Sequence, residues 1–456
     1  MPLSLCAIAL FASAAFGDKV EVHSPSWLRE GVIYEVFPRD FSEAGNFNGV
    51  TARLDDLKNV GVSILWVMPV NPIGQKGRKG PLGSPYSVRD YYGINPDYGT
   101  AEDLKRLVSE AHARGMKVIL DIVPNHTSWD SVLMAHHDFY KQDANGNIIP
   151  PNPAWSDVAG LNYRNPELRQ YMIAMMKHWI DPAGFDFDGF RCDVAAEVPT
   201  SFWETARAEL LKTKPDIMML AEASKPELMV KAFDVDYSWP LLSTLNRVVI
   251  NGAPASDLQH CWEESRSQFP DGALHMRMSD DHDEPRAIAR FGMRGAMAAS
   301  AMMFTLDGVP MLYNGMEVGD ATESGDPALF EKVPVFWQPK ERPRLRAVYR
   351  SLAALRRQYA PFRNNDVAWL RNSDDKNIVS FERCDDKDEF VVVINFSNRR
   401  EKTSVDVAHA SDFAVMKIDG MPEPAGDGLA SLNLGGFDWR IFHRSLQTQT
   451  SAKLNE

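Results

Sequence analysis

Between Gly31 and about Tyr359, short and mostly apolar runs alternate with amphipathic stretches, and this alternation limits what the chain can fold into more than any other feature. The clearest runs are Val32–Phe37, Val62–Val67, Val118–Ile122, Phe187–Val194, Ile217–Ala221 and Val309–Tyr313, with a weaker one at Leu274–Met278. Runs that are apolar on both faces read as parallel strands covered on both sides, not as half-exposed antiparallel ones. The stretches between them have helical spacing. Thr100 is placed to cap a helix with Asp103 three residues on; Leu104, Leu107, Val108 and Ala111 follow on one face, and Gly115 ends it. Asn165-Pro166-Glu167 opens another, whose apolar face is Leu168, Tyr171, Met172, Met175 and Trp179. Strand–helix units repeated over about 330 residues favour a closed (β/α)8 barrel over an open doubly wound sheet.

One connection is too long for such a unit, since residues 127–162 separate the third strand from the helix at Asn165. An insertion there sits at the C-terminal face of a barrel, where active sites lie. After Pro361 the texture changes to short β-type runs, Ile378–Arg383, Phe390–Phe396, Phe413–Ile418 and Trp439–His443, separated by turns such as Gly435-Gly436. The expected fold is therefore α/β. A (β/α)8 TIM barrel over residues 18–361 carries a short insertion (127–162) after the third strand. A C-terminal antiparallel β domain, read as a β-sandwich, follows over 362–446, and a polar tail over 447–456. Leu3–Phe16 is apolar but too short to cross a bilayer, which takes about 20 residues. Small residues up to Gly17 make residues 1–17 read as a signal peptide, although no Lys or Arg precedes the apolar stretch. An exported protein, periplasmic or extracellular and without a membrane span, is expected.

Charged residues collect at the ends of the apolar runs: Asp121 and then Asn125-His126, Arg191 and Asp193, Glu222, and Asp281-His282-Asp283. Charge beside a buried strand is costly unless it faces a polar site, and in a barrel these ends converge on one cleft. Three carboxylates (Asp193, Glu222, Asp283), one Arg and two His suit acid/base or nucleophilic work on a neutral substrate, with a metal site as the competing reading. Acids outnumber bases 62 to 49, a net charge of −13, which argues against nucleic acid as a partner. The four cysteines form neither a CxxC pair nor a dense framework, so no zinc ribbon or disulfide scaffold is indicated.

In this order, the segments resemble the signatures of the alpha-amylase family of (β/α)8 glycoside hydrolases acting on α-glucosidic bonds. They are D-x-x-x-N-H at Asp121–His126, G-x-R-x-D at Gly189–Asp193, the lone Glu222 after the fifth strand, and His282-Asp283. Supporting segments are Gly61–Pro69, Gly308–Glu317 and the Tyr-bearing loop Ser84–Tyr91. The resemblance runs over about residues 31–446. It implies Asp193 as nucleophile, Glu222 as general acid and then base, and Asp283 as the carboxylate that grips the sugar hydroxyls. It also implies His126 and His282 as hydrogen-bonding residues of the reactive subsite, and Tyr86 as the ring that sugar stacks on. Arg191, two residues before Asp193, points to the same side of the strand. It is expected to keep Asp193 ionised, while burial and neighbouring carboxylates raise Glu222. The family mechanism retains configuration at the anomeric carbon.

The implied activity is hydrolysis of α-1,4 bonds in starch or maltooligosaccharides. The alternatives are a transglycosylase, an exo-acting α-glucosidase on short α-glucans, a non-catalytic sugar-binding relative, and a metal-dependent barrel hydrolase. Ala196-Glu197 stand where many members carry Lys-His, and no Asp-rich loop occurs near Asp40–Asn48. No cofactor is expected to be required, and calcium stays open; no metal ligands are assigned. Asp281 replaces the family's usual Asn. The loop Gly74–Gly83, with Lys76, Arg78 and Lys79, is expected to rim the cleft, and Asp90 and Arg286 to orient the reactive-subsite loop. Trp155 could stack on sugar or plug the insertion. His136-His137 reads as insertion surface, and Cys192 as a buried small hydrophobe.

Overall fold

The computed structural model describes residues 24–322, 324–338, 344–422 and 427–446. The expected signal peptide and polar tail lie outside them. Eight parallel strands close a barrel: β1 (Ile33–Val36), β2 (Ile64–Val67), β3 (Lys117–Ile122), β6 (Gly189–Cys192), β7 (Met218–Ala221), β8 (Val235–Tyr237), β9 (Leu274–Arg277) and β10 (Val309–Tyr313). β10 returns to pair with β1. The sequence runs miss β8, because its three residues carry Asp236 at their centre and so lack a continuous apolar signature. Asp236 is instead paired through Oδ1 with His275 on the adjacent β9.

Side chains alternate across the barrel wall. Ile33, Ile64, Trp66, Ile119, Leu220, Tyr237 and Met276 fill the lumen, whereas Tyr34, Val36, Leu65, Leu120 and Phe190 pack outward under the helices. The expected caps are present. Thr100 accepts from the Asp103 backbone while Asp103 reaches back to Thr100, and Asn165 accepts from Glu167 and Leu168. Each such cap contributes about 1 kcal/mol. Gly189 is required by close approach: a Cβ there would stand 2.1 Å from the Met218 carbonyl oxygen on β7. Between β3 and the helix Pro166–Ile180, the insertion is built on a short antiparallel pair, β4 (His126–Ser128) and β5 (Val158–Gly160).

Beyond the barrel, β11 (Ala368–Trp369), β12 (Ile378–Cys384), β13 (Asp388–Asn395), β15 (Ala414–Val415) and β17 (Trp439–Ser445) form one antiparallel sheet, and β14 (Glu401–Thr403) pairs with β16 (Leu432–Leu434). Phe390, Val392 and Ile394 join the barrel's outer core, whereas Val391 and Val393 pack with Leu432, Leu434 and Phe442. β13 is thus buried on both faces, which explains its unbroken apolar run. Fully buried Arg383 donates to the carbonyls of Thr305, Pro361 and Asn364, tying this sheet to the barrel. Among the described residues no helix is long and apolar enough to cross a membrane.

Candidate active site

At the C-terminal ends of the strands the lumen changes from apolar to charged. Glu35 lies two residues beyond Ile33, Asp121 two beyond Ile119 and Arg191 two beyond Gly189, so all three face inward. The β3–β6 register sets Asp121 directly opposite Arg191. Arg191 Nη1 donates to Asp121 Oδ1 and to Asp193 Oδ1, each at 3.0 Å, and Nη2 lies 2.8 Å from Glu222 Oε2. The guanidinium has no exposed surface and is ringed by Trp66, Tyr86 and Tyr237 at 5.2, 5.4 and 5.7 Å from the ring centres. One buried cation therefore serves three carboxylates.

Val194, directly after Asp193, has φ 44° and ψ 42°. A β-branched residue in the left-handed region costs on the order of 1–3 kcal/mol. The strain turns its backbone N–H onto Glu222 Oε2 at 2.8 Å, so the same turn fixes Asp193 and Glu222 relative to each other. Asp193 Oδ2 is buried without a hydrogen-bond partner, and His126 Nε2 lies 3.9 Å from it.

Arg191 favours the ionised form of Asp193, as its place two residues earlier suggests, but it is not the largest influence on that carboxyl. Burial first, and then the Glu222 charge, push the Asp193 carboxyl well above the usual range, with Arg191 opposing them. Burial likewise raises Asp121 to about 6. Asp121 accepts from the Tyr86 hydroxyl at 3.0 Å and from Trp66 Nε1 at 3.2 Å.

On the far side of Tyr86 stands His282. Its Nε2 is 2.8 Å from the Tyr86 hydroxyl and 3.2 Å from Asp283 Oδ2, and its Nδ1 is 2.5 Å from Glu35 Oε1. The ring stacks on Tyr86 and meets Trp66 edge-on. Burial lowers its pKa, but Asp283 and then Glu35 outweigh that and bring it to about 10. Asp281 accepts from the backbone N–H groups of Asp283 and Glu284, which orders this loop.

Every residue proposed from sequence (Tyr86, His126, Arg191, Asp193, Glu222, His282 and Asp283) thus lies in one cleft. Glu35 and Asp121 were given no role. A lone acid inside a strand buried on both faces was the available signal for each. Val194 left no signal, because backbone strain is not written in residue type. Trp155 stands at the cleft, its ring 5.8 Å from that of His126, and His136 and His137 are exposed on the insertion. Asp90 accepts from Tyr92 N, and Arg286 donates to the Asn314 carbonyl and Asp320. At Ala195–Glu197, which includes the pair standing where many members carry Lys-His, the Ala196 carbonyl accepts from Lys225 Nζ at 2.9 Å. Among the described residues no three His, Cys, Asp or Glu side chains gather as a metal site.

Comparison with known proteins agrees with this geometry. Alpha-amylase MalA of Haloarcula japonica is 28% identical over 429 residues, covering 90% of this chain; the chain spans 62% of that relative's length. The crystal structure of an alpha-amylase from Lactobacillus plantarum superposes with a TM-score of 0.81 at 31% identity, covering 91% of this chain and 99% of that one. A noncanonic maltogenic alpha-amylase, AmyB of Thermotoga neapolitana, also gives 0.81, at 30% identity, covering 92% and 99%. The family model of the alpha-amylase catalytic domain matches residues 35–390, and the chain belongs to that family.

Proposed function

We propose that the protein is a retaining glycoside hydrolase that cleaves α-1,4-glucosidic bonds in maltooligosaccharides or starch, with Asp193 as nucleophile, Glu222 as acid/base and Asp283 as the hydroxyl-gripping carboxylate. The observation that carries this reading is the single guanidinium of Arg191 holding Asp193 and Glu222 side by side while leaving Asp193 Oδ2 free of any hydrogen bond. A free lone pair on a fixed carboxylate is what attack on an anomeric carbon needs.

In the first step Asp193 Oδ2 forms a bond to the anomeric carbon as the bond from that carbon to the glycosidic oxygen breaks. Glu222 delivers its proton to the departing oxygen. In the second, Glu222 takes a proton from water, the water oxygen bonds to the same carbon, and Asp193 departs with its electron pair. Two inversions leave the α-configuration. The sugar in the reactive subsite lies against Tyr86, between His126 and His282. His282, with both nitrogens protonated, donates to it, and Asp283 accepts from it. Asp121 serves by orienting Tyr86 and Arg191.

Anomeric NMR on the earliest products of maltoheptaose tests this. The reading requires α-anomers from the wild type and none from Asp193→Asn. β-Anomeric products would contradict it. Catalysis is also proposed to need no added metal, so excess chelator should leave turnover and melting temperature unchanged. Export through residues 1–17 is part of the proposal, and N-terminal sequencing of the protein from a secreting host should begin at Asp18.

A further inference from the structure

The loops after the strands are not evenly joined. Arg39, buried in the loop after β1, donates through Nη1 to the Leu329 carbonyl at 2.8 Å and through Nη2 to the Gly83 carbonyl at 3.1 Å. It thereby pins the loop after β10 to the loop after β2. Those two loops also meet directly above it, where Leu82 N donates to the Phe330 carbonyl at 3.0 Å. Gly80, at φ 62°, lets them touch: a Cβ there would stand 2.5 Å from Phe330 Cβ. In one direction the seam continues to the loop after β9, where Gly325 N donates to the His282 carbonyl and Ser324 Oγ to the Glu284 carbonyl. In the other it continues to the insertion after β3, through Lys79 to Asp157 at 3.0 Å and Gln75 N to the Asp130 carboxylate. Five adjacent strand ends (β9, β10, β1, β2, β3) thus carry one stitched wall. The ends of β6 and β7, which bear Asp193 and Glu222, lie outside it.

Resting on the catalytic roles proposed above, we infer that the enzyme acts from the non-reducing end of its substrate, the wall closing the cleft around the glycone. The chemistry gives the direction. The acid must reach the glycosidic oxygen of the leaving part, so the leaving chain runs out past Glu222, on the side away from the wall. The glycone occupies the opposite side, against Tyr86, which belongs to the loop that roots the wall. There Tyr86, His126 and His282 each have less than a tenth of their surface exposed. On this inference the wall closes that end of the cleft into a pocket through which a long glucan does not thread. Lys79 and Gly80, with Arg39 beneath them, are then specificity-determining residues.

The test compares three substrates by chromatographic product analysis: maltoheptaose, its alditol (reducing end blocked) and maltoheptaose with an ethylidene group on the non-reducing terminal glucose. The inference requires turnover of the first two, with short products released from one end, and loss of turnover of the third. Internal cleavage of the ethylidene substrate at a rate comparable to maltoheptaose would overturn end-directed action while leaving the hydrolase reading intact. Cleavage of that substrate with resistance of the alditol would reverse the direction and also overturn it. Failure of all three would remove the hydrolase reading and this inference with it.

Discussion

His126 and His282 enter the same cleft from two regions of the rim, the insertion after β3 and the loop after β9. Both are almost fully buried, at 4% and 2% exposure, yet they hold different charge. Burial takes His126 down to about 4, so it is neutral at pH 7; the carboxyl oxygen facing its Nε2, Asp193 Oδ2, is 3.9 Å away. Burial acts on His282 in the same direction, but a carboxylate stands at each of its nitrogens, Asp283 and Glu35, and its pKa rises to about 10. Identical side chains at equal depth thus differ because of their partners. The insertion side of the cleft offers a neutral ring, and the β9 side offers a cation locked between acids.

Asp193→Asn should have the largest effect, because it removes the acid beside the neutral histidine without changing shape. Turnover of maltoheptaose is expected to fall about 10⁴-fold or more, measured as kcat. Next comes Glu35→Gln, which keeps the hydrogen bond to His282 Nδ1 but removes the charge. The groups facing His282 are then Asp283 and Asp281 from its own loop, Tyr86 from the loop after β2 and Arg191 from β6. Losing an adjacent charge should lower the His282 pKa by about 1–3 units and pull the alkaline limb of the kcat/KM profile down with it. The accompanying loss of kcat/KM should be about tenfold, the worth of one charge-assisted hydrogen bond. Unchanged limbs with only a lowered melting temperature would reduce Glu35 to a structural role.

A smaller effect appears in stability. Because Asp193 is raised in the folded state, its stabilising contribution is present at low pH and is lost as pH rises from its unfolded value toward the folded one. Asp193→Asn should therefore be more stable than wild type by about 1–2 kcal/mol at pH 7. The gain should vanish below about pH 4, where the free carboxyl is protonated in both states. For His282 the sign gives stabilisation that is full below about pH 6.5 and lost as pH rises through about 10. The smallest expected change is at His126. Its substitution by Gln should weaken binding but leave the limbs of the pH profile where they are, since a ring already neutral contributes no titration between about pH 5 and 8. NMR titration of the two imidazoles checks the comparison itself, with midpoints expected near 4 and near 10.

Sequence showed the barrel through its period and composition. Seven of the eight strands carry apolar runs, and the caps at Thr100 and Asn165 lie where residue type places them. Six of the seven site residues were legible because a charge at the end of a buried strand needs a reason; Tyr86 was legible only through the resemblance of its loop. Strand β8 was not, since Asp236 interrupts its pattern and its partner His275 is 39 residues away in sequence. The charge states were not legible either. Placing Arg191 beside Asp193 was correct, but only the fold shows that Asp121 and Glu222 draw on the same guanidinium. The same limit hid Glu35, whose role depends on His282, 247 residues downstream.

The most direct test of the central claim is a covalent one. Glu222→Gln, treated with an activated glucosyl fluoride that needs no acid to leave, should accumulate a glycosyl-enzyme. Peptide mapping by mass spectrometry should place the sugar on the fragment carrying Asp193. A sugar on any other carboxylate, or turnover of the reagent with β-glucose released and no adduct, would contradict the assignment of Asp193 as nucleophile and of the enzyme as retaining.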